Sequence, residues 1–282
     1  MTIFRTVQAF MGALLALSLG LLAGCASPGV GPAGVANTNQ PTATAPEREI
    51  TTASDETDVS KRARIRIELA SAYFAQGQLT TALDEVKRAL AIDNNISEAY
   101  ELRGLIYDAL GEPGLSEESF KRAIQLDARN GSALHNYAWS LCNKQQYPAA
   151  DALFERAAEL PQSVIVSKTL LARGVCQIRA GLLPAAEQSL IRSYELDPSS
   201  PATAYNLALV LYRRGEYERS RFYIRRVNNV PEQITAESIW LGIRVENRMN
   251  NISGRDELAT MLRSRFPNSR EATALELGRF DD

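Results

Sequence analysis

The stretch HNYAWSLCNKQQYPAADALFERA, residues His135 to Ala157, holds two small residues, Ala138 and Ala150, 12 positions apart. The same pair recurs on both sides of it. Its first member belongs to a column, Ala70, Gly104, Ala138, Gly174, Ala208 and Gly242, with steps of 34, 34, 36, 34 and 34 residues. Its second belongs to another, Ala82, Ser116, Ala150, Ala186, Ser220 and Gly254, always 12 residues further on. Helices that pack closely need small side chains where they touch, so each unit reads as a helix, a turn and a second helix. Three residues after the first column, Tyr73, Tyr107, Leu141, Leu211 and Val245 supply larger apolar side chains, with Gln177 the exception. Gly77, Gly111, Gly181 and Gly215 sit near the turn, where a positive φ is easily reached. Phe120 and Phe154 pack from second helices, and Asp197-Pro198 opens a new unit after a helix end.

A period of 34 is that of the tetratricopeptide repeat. Six units are expected, 63–96, 97–130, 131–164, 167–200, 201–234 and 235–268, within a repeat domain spanning 61–282. The sixth is the weakest, since Met249 stands where the turn glycine belongs and Gly254 falls in its second helix; a capping helix pair without repeat geometry is the alternative. The fold class is therefore all-α, a right-handed superhelix whose first helices line a concave surface. Positions five, nine and twelve of each first helix should face that surface: Ile67, Ser71 and Phe74; Glu101, Leu105 and Asp108; His135, Trp139 and Cys142; Leu171, Val175 and Ile178; Tyr205, Leu209 and Tyr212. The centre of this lining is apolar and aromatic, which favours a hydrophobic groove for a peptide or partner protein. Its candidate contacts are Ile67, Phe74, Leu105, His135, Trp139, Leu171, Val175, Tyr205, Leu209 and Tyr212. For each residue taken singly, partial burial between helices is the plainer reading.

Composition agrees with a helical, non-enzymatic chain. Of 282 residues 45% are apolar, enough for a sizeable core, and alternating β-branched runs are hard to find. The 31 Lys and Arg against 33 Asp and Glu leave no basic field to attract nucleic acid. His135 is the only histidine, so a histidine-based metal cluster or a Ser-His-Asp triad is hard to assemble. No GxxxxGK[ST] loop, GxGxxG fingerprint or HExxH helix is present, so no cofactor and no small-molecule substrate is expected. Glu117-Glu118, Lys61-Arg62-Ala63-Arg64 and Arg225-Arg226 read as solvated helix faces.

The N-terminus carries a different message. Arg5 precedes an apolar stretch from about Ala9 to Ala23, the layout of a secretory signal and short of the roughly 20 residues a membrane span needs. It ends in LLAGCASPGVGPAG, Leu21 to Gly34, whose Leu22-Ala23-Gly24-Cys25 resembles the lipobox of bacterial lipoproteins. The resemblance implies a signal peptide at 1–24 and acylation of Cys25, with more than one acyl chain for stable anchoring. The alternatives are an uncleaved anchor or an ordinary secreted protein. Ala26 is not the Asp that typically retains lipoproteins in the inner membrane, so the implied location is the outer membrane, facing the periplasm. Residues 25–60, rich in Pro, Gly, Ala, Thr and Ser, read as a lipidated flexible tether. Such a coil typically spans roughly 30–35 Å. In an oxidising periplasm Cys142 and Cys176, on neighbouring first helices of units three and four, are placed to form a disulfide; two separately buried thiols are the alternative.

Across the folded part the chain resembles the PilF/PilW family, outer-membrane lipoproteins of type IV pilus biogenesis with six tetratricopeptide repeats. The likeness is sharpest in His135–Ala157 and continues in ARGVCQIRAGLLPAAEQSL (Ala172 to Leu190), SIWLGIRVENRMNN (Ser238 to Asn251) and LRSRFPNS (Leu262 to Ser269). Repeat consensus alone does not account for Trp139-x-x-Cys142, Gly174-Val-Cys176 or Ile239-Trp240-Leu241-Gly242. The resemblance implies a pilotin or assembly factor that helps secretin subunits reach or multimerise in the outer membrane, or acts on pilus stability. Its implied partners are the pilus secretin or another pilus-assembly protein, and the membrane through Cys25. His135 departs from the family, where Asn is common. A general periplasmic scaffold for cell-wall enzymes or outer-membrane assembly, or an activator of a hydrolase in trans, is the alternative.

Overall fold

The computed structural model describes residues 57–160 and 165–280. Over these residues helices follow in pairs: α1 (Asp58–Ala75) with α2 (Leu79–Ile92), α3 (Ser97–Ala109) with α4 (Pro113–Leu126), and α5 (Gly131–Asn143) with α6 (Tyr147–Ala158). Then come α7 (Val166–Arg179) with α8 (Leu183–Leu196), α9 (Pro201–Arg213) with α10 (Tyr217–Asn228), and α11 (Ala236–Arg248) with α12 (Ile252–Arg265). A short α13 (Arg270–Glu276) ends the series. No strand occurs among the described residues, and no helix there is long and apolar enough to cross a membrane. This is the tetratricopeptide superhelix that the period predicts. The proposed signal segment, Cys25 and most of the 25–60 tether lie outside the described residues; α1 begins at Asp58, inside the segment read as tether, because Thr57 accepts the Ser60 backbone N–H and caps the helix there.

Local chemistry explains where the helices start and turn. Asn130, Ser200 and Thr235 each accept the backbone N–H three residues on, at 2.8, 3.2 and 3.1 Å, a cap contributing about 1 kcal/mol. Pro113, Pro148, Pro184 and Pro201 occupy first-turn positions, where a missing N–H costs nothing. Between the helices of each pair one residue takes positive φ: Gly77, Gly111, Gln145 (60°), Gly181, Gly215 and Asn250 (55°). These follow at 34, 34, 36, 34 and 35 residues, so the structural period slips twice.

The last slip corrects the reading of unit six. Its turn residue is Asn250, which tolerates the left-handed region, and Met249 is only the residue before it. Thr235 caps α11 as Ser200 caps α9, again 35 residues apart. Counted in this register, the small-residue position falls on Ile243 rather than Gly242, and its partner on the second helix is Ala259. In units one to five the bulk sits on the second helix: Val86, Phe120, Phe154, Leu190 and Ile224 are all at most 1% exposed. A Cβ on Gly104 would come within 2.8 Å of the Phe120 ring, and one on Gly174 within 2.6 Å of Leu190 Cγ. Unit six exchanges the sizes, with Ile243 at 0% and Ala259 at 4% exposure, so the same space is filled from the opposite helix.

Polar links fasten particular joints. Between units three and four, Arg173 grips Asp151 through two bonds of 2.8 Å, while Gln177 donates to Asp151 at 2.7 Å and accepts from Ser189 at 2.8 Å. Gln177 thus breaks the apolar column because it bridges two helices. Between units five and six, buried Glu246 accepts from Arg221 at 2.8 Å, Arg225 at 3.2 Å and Asn251 at 2.7 Å.

Candidate partner-binding groove

The first helices α1, α3, α5, α7, α9 and α11 carry the fifth and ninth positions of their repeat units along one side of the stack. Ile67, Leu105, His135, Trp139, Leu171, Val175, Tyr205 and Leu209 are all half-buried there, as is Phe74 at a twelfth position. Two twelfth positions behave differently. Cys142 is 1% exposed, and Tyr212, expected to line the groove, is 7% exposed with the Arg244 guanidinium 4.7 Å above its ring. Both are covered by side chains of the following first helix. Asp108 accordingly accepts from Ser140 at 2.8 Å, and Cys142 meets Cys176 with their Cα atoms 5.9 Å apart and sulfurs at 2.21 Å.

The groove changes character along its length. Around α3 and α5 it is polar: Glu101 accepts from Asn136 at 2.8 Å and Asn130 at 3.2 Å, and His135 Nδ1 lies 3.0 Å from Thr169 Oγ1. Burial pushes the Glu101 carboxyl above the usual range, against the lowering effect of the two amides. Burial and nearby Lys168 push His135 below its ordinary value, which keeps the imidazole neutral at pH 7. The His135 ring also meets Phe154 edge-on at 5.8 Å, so only part of it is free to meet a partner. Further on, Trp139 carries the Arg179 guanidinium 4.9 Å from its ring centre, held in place by a 2.9 Å bond from Arg179 to Asn143.

At the α9–α11 end a cleft of about 360 Å³ is lined by Pro201, Ala202, Tyr205, Val227, Thr235 and Glu237, among others. Tyr205 is the groove residue that enters it, and burial raises its phenol pKa. Beyond it the corrected register adds two residues that the columns missed: Trp240 takes the place of Tyr205 in unit six and Arg244 that of Leu209. The cap Thr235 and the turn residue Asn250 were the signals that set this register. Among the described residues no group of His, Cys, Asp and Glu could hold a metal ion.

Residues 97–130 and 171–228 match the tetratricopeptide repeat family. The type IV pilus assembly protein PilF of Pseudomonas aeruginosa strain PAO1 is 25% identical over 208 residues, 73% of this chain and 81% of PilF. The solved structure of Pseudomonas aeruginosa PilF superposes with a TM-score of 0.70 at 22% identity, covering 79% of this chain and all of the other. That of PilW, a widely conserved type IV pilus biogenesis factor, superposes with a TM-score of 0.68 at 24% identity over 78% of this chain and 99% of PilW.

Proposed function

We propose that this PilF/PilW-like tetratricopeptide-repeat protein is a non-enzymatic adaptor of type IV pilus biogenesis, tethered to the outer membrane through Cys25, whose groove holds a segment of the pilus secretin. The observation that carries the reading is the similarity to PilF across 73% of the chain, in a protein whose half-buried apolar side chains run along the inner face of the superhelix. A line of part-exposed Leu105, Trp139, Val175 and Leu209 gives a partner apolar surface to bury, and the flanking amides and arginines give it hydrogen-bond partners that fix register. The Cys142–Cys176 pair, in this reading, is a covalent joint formed in the periplasm that holds units three and four at a fixed angle.

The test is a deletion strain, blotted for detergent-resistant secretin multimers and scored for surface pili. Loss of multimers with monomer retained supports secretin assembly. Normal multimers with lost pili moves the action to pilus stability. If both are normal, the pilus reading fails and a scaffold for cell-wall or outer-membrane assembly takes its place.

A further inference from the structure

The groove is not open along its whole length. α13 ends in a Schellman-type turn: Gly278 takes φ +64°, its N–H reaches Leu275 O at 3.1 Å, and Arg279 N–H reaches Ala274 O at 2.9 Å. The turn sends the chain back over α11. There the Phe280 ring stacks on Trp240, centroids 5.7 Å apart and planes 21° apart, and Arg244 Nε donates to the Phe280 carbonyl at 2.9 Å. Trp240 and Arg244 are the fifth and ninth residues of the last first helix, the same register that carries Tyr205 and Leu209 one unit earlier. The chain's own tail therefore rests on groove positions, held by one aromatic face and one main-chain carbonyl, with Phe280 also packed against the apolar cluster that holds Ile239, Ile243 and Leu275.

We infer that Trp240 and Arg244 form a subsite for an extended segment bearing an aromatic side chain, and that Phe280 is a built-in stand-in which such a segment displaces. Both contacts are those an external peptide can make equally well. A flat indole accepts a ring by offset stacking, and an arginine beside it pairs with the carbonyl of the same residue, fixing chain direction. The Arg244 guanidinium that holds the tail is itself steadied on the buried Tyr212 ring, 4.7 Å from its centre. Among the described residues no ring stacks on Tyr205 and no such internal ligand covers Leu209. The inference rests on the reading that this face takes a partner, but its test needs no pilus component, so a failed secretin assay leaves it standing.

The probe is the tail itself. The mature chain and a chain ending at Gly278 each carry Trp139→Phe, leaving Trp240 as the only tryptophan, and are titrated with the hexapeptide LGRFDD and with LGRADD. The shortened chain is expected to show a saturable change in Trp240 emission with LGRFDD and none with LGRADD. The intact chain should respond at least about tenfold more weakly, since a tethered competitor acts at an effective concentration in the millimolar range. A shortened chain that melts like the intact one yet ignores the peptide overturns the proposal and makes Phe280 an end cap alone. Equal responses from both chains overturn it too, because the peptide then binds elsewhere. Should the shortened chain fail to fold, Phe280→Ala in the otherwise intact chain keeps α13 and its turn, and the same outcomes decide.

Discussion

The joint between units three and four and the joint between units five and six are the two places where the helical period departs from 34, by two residues and by one. Both carry polar groups beside their apolar packing, as the regular joint between units four and five does with buried Glu187 held by Arg214 at 2.9 Å and Arg219 at 2.7 Å. They are fastened differently. The first has Cys142 against Cys176 and the hydrogen-bonded chain Arg173, Asp151, Gln177 and Ser189. The second relies on one buried carboxylate, Glu246, shared by Arg221, Arg225 and Asn251. Polar pairing alone therefore does not mark a slipped joint, since Asn136 on Glu101 and Arg214 on Glu187 fasten regular ones; the close Cys142–Cys176 pair is what sets the first slipped joint apart.

The largest test of this contrast is Cys142→Ser. For the proposed disulfide, which closes a loop of 34 residues, the substitution should lower unfolding free energy by about 3–4 kcal/mol in the chain-entropy view. Denaturant melts with and without reductant check it, because the difference from wild type must shrink under reduction. Two free thiols from this pair in denatured, unreduced wild type would show that the joint is not covalent. Next, Glu246→Ala should cost about 3 kcal/mol, the lower end for breaking a buried ion pair, since Arg225 is 54% exposed and regains water. Its loss should be insensitive to reductant, separating the two joints.

Within the regular part, Gly174→Ala puts a Cβ 2.6 Å from Leu190 Cγ and should cost about 1–3 kcal/mol by thermal melt. Gly242→Ala is the control, because its nearest atom is a flexible Leu258 tip at 3.0 Å; a loss as large as that of Gly174→Ala would return Gly242 to the small-residue column. The smallest effect is a gain. Gln145→Gly relieves a left-handed residue and should stabilise by up to about 1 kcal/mol, while Asn250→Gly gains less because Asn accepts that region.

Much of the fold was legible because small and large residues recur at positions that only a helix pair explains. Units two to five could be placed from Gly104, Ala138, Gly174 and Ala208 alone. Unit six was misplaced by one residue because its sizes are exchanged: Gly242 imitated the column member while Ile243 did the packing, and steric fit conserves volume rather than identity. The groove was legible at its fifth and ninth positions, whose side follows from 100° per residue. It was misread at Tyr212, because the arginine that covers it lies 32 residues away on the next first helix. The tail contact had no sequence signal, since a stacked Phe280 depends on where a single left-handed Gly278 sends the chain.

A stack of near-identical helix pairs with both ends bare would be complementary to itself head to tail, and contacts of that kind repeat without closing, giving fibres. With α13 and Phe280 in place, Ile239 and Ile243 are both 0% exposed, so one member of that complementary pair is gone. Ile65 and Leu69 on α1, 62% and 38% exposed, then have no far end of another copy to receive them. The head-to-tail contact that would propagate is thus the one this end cap removes.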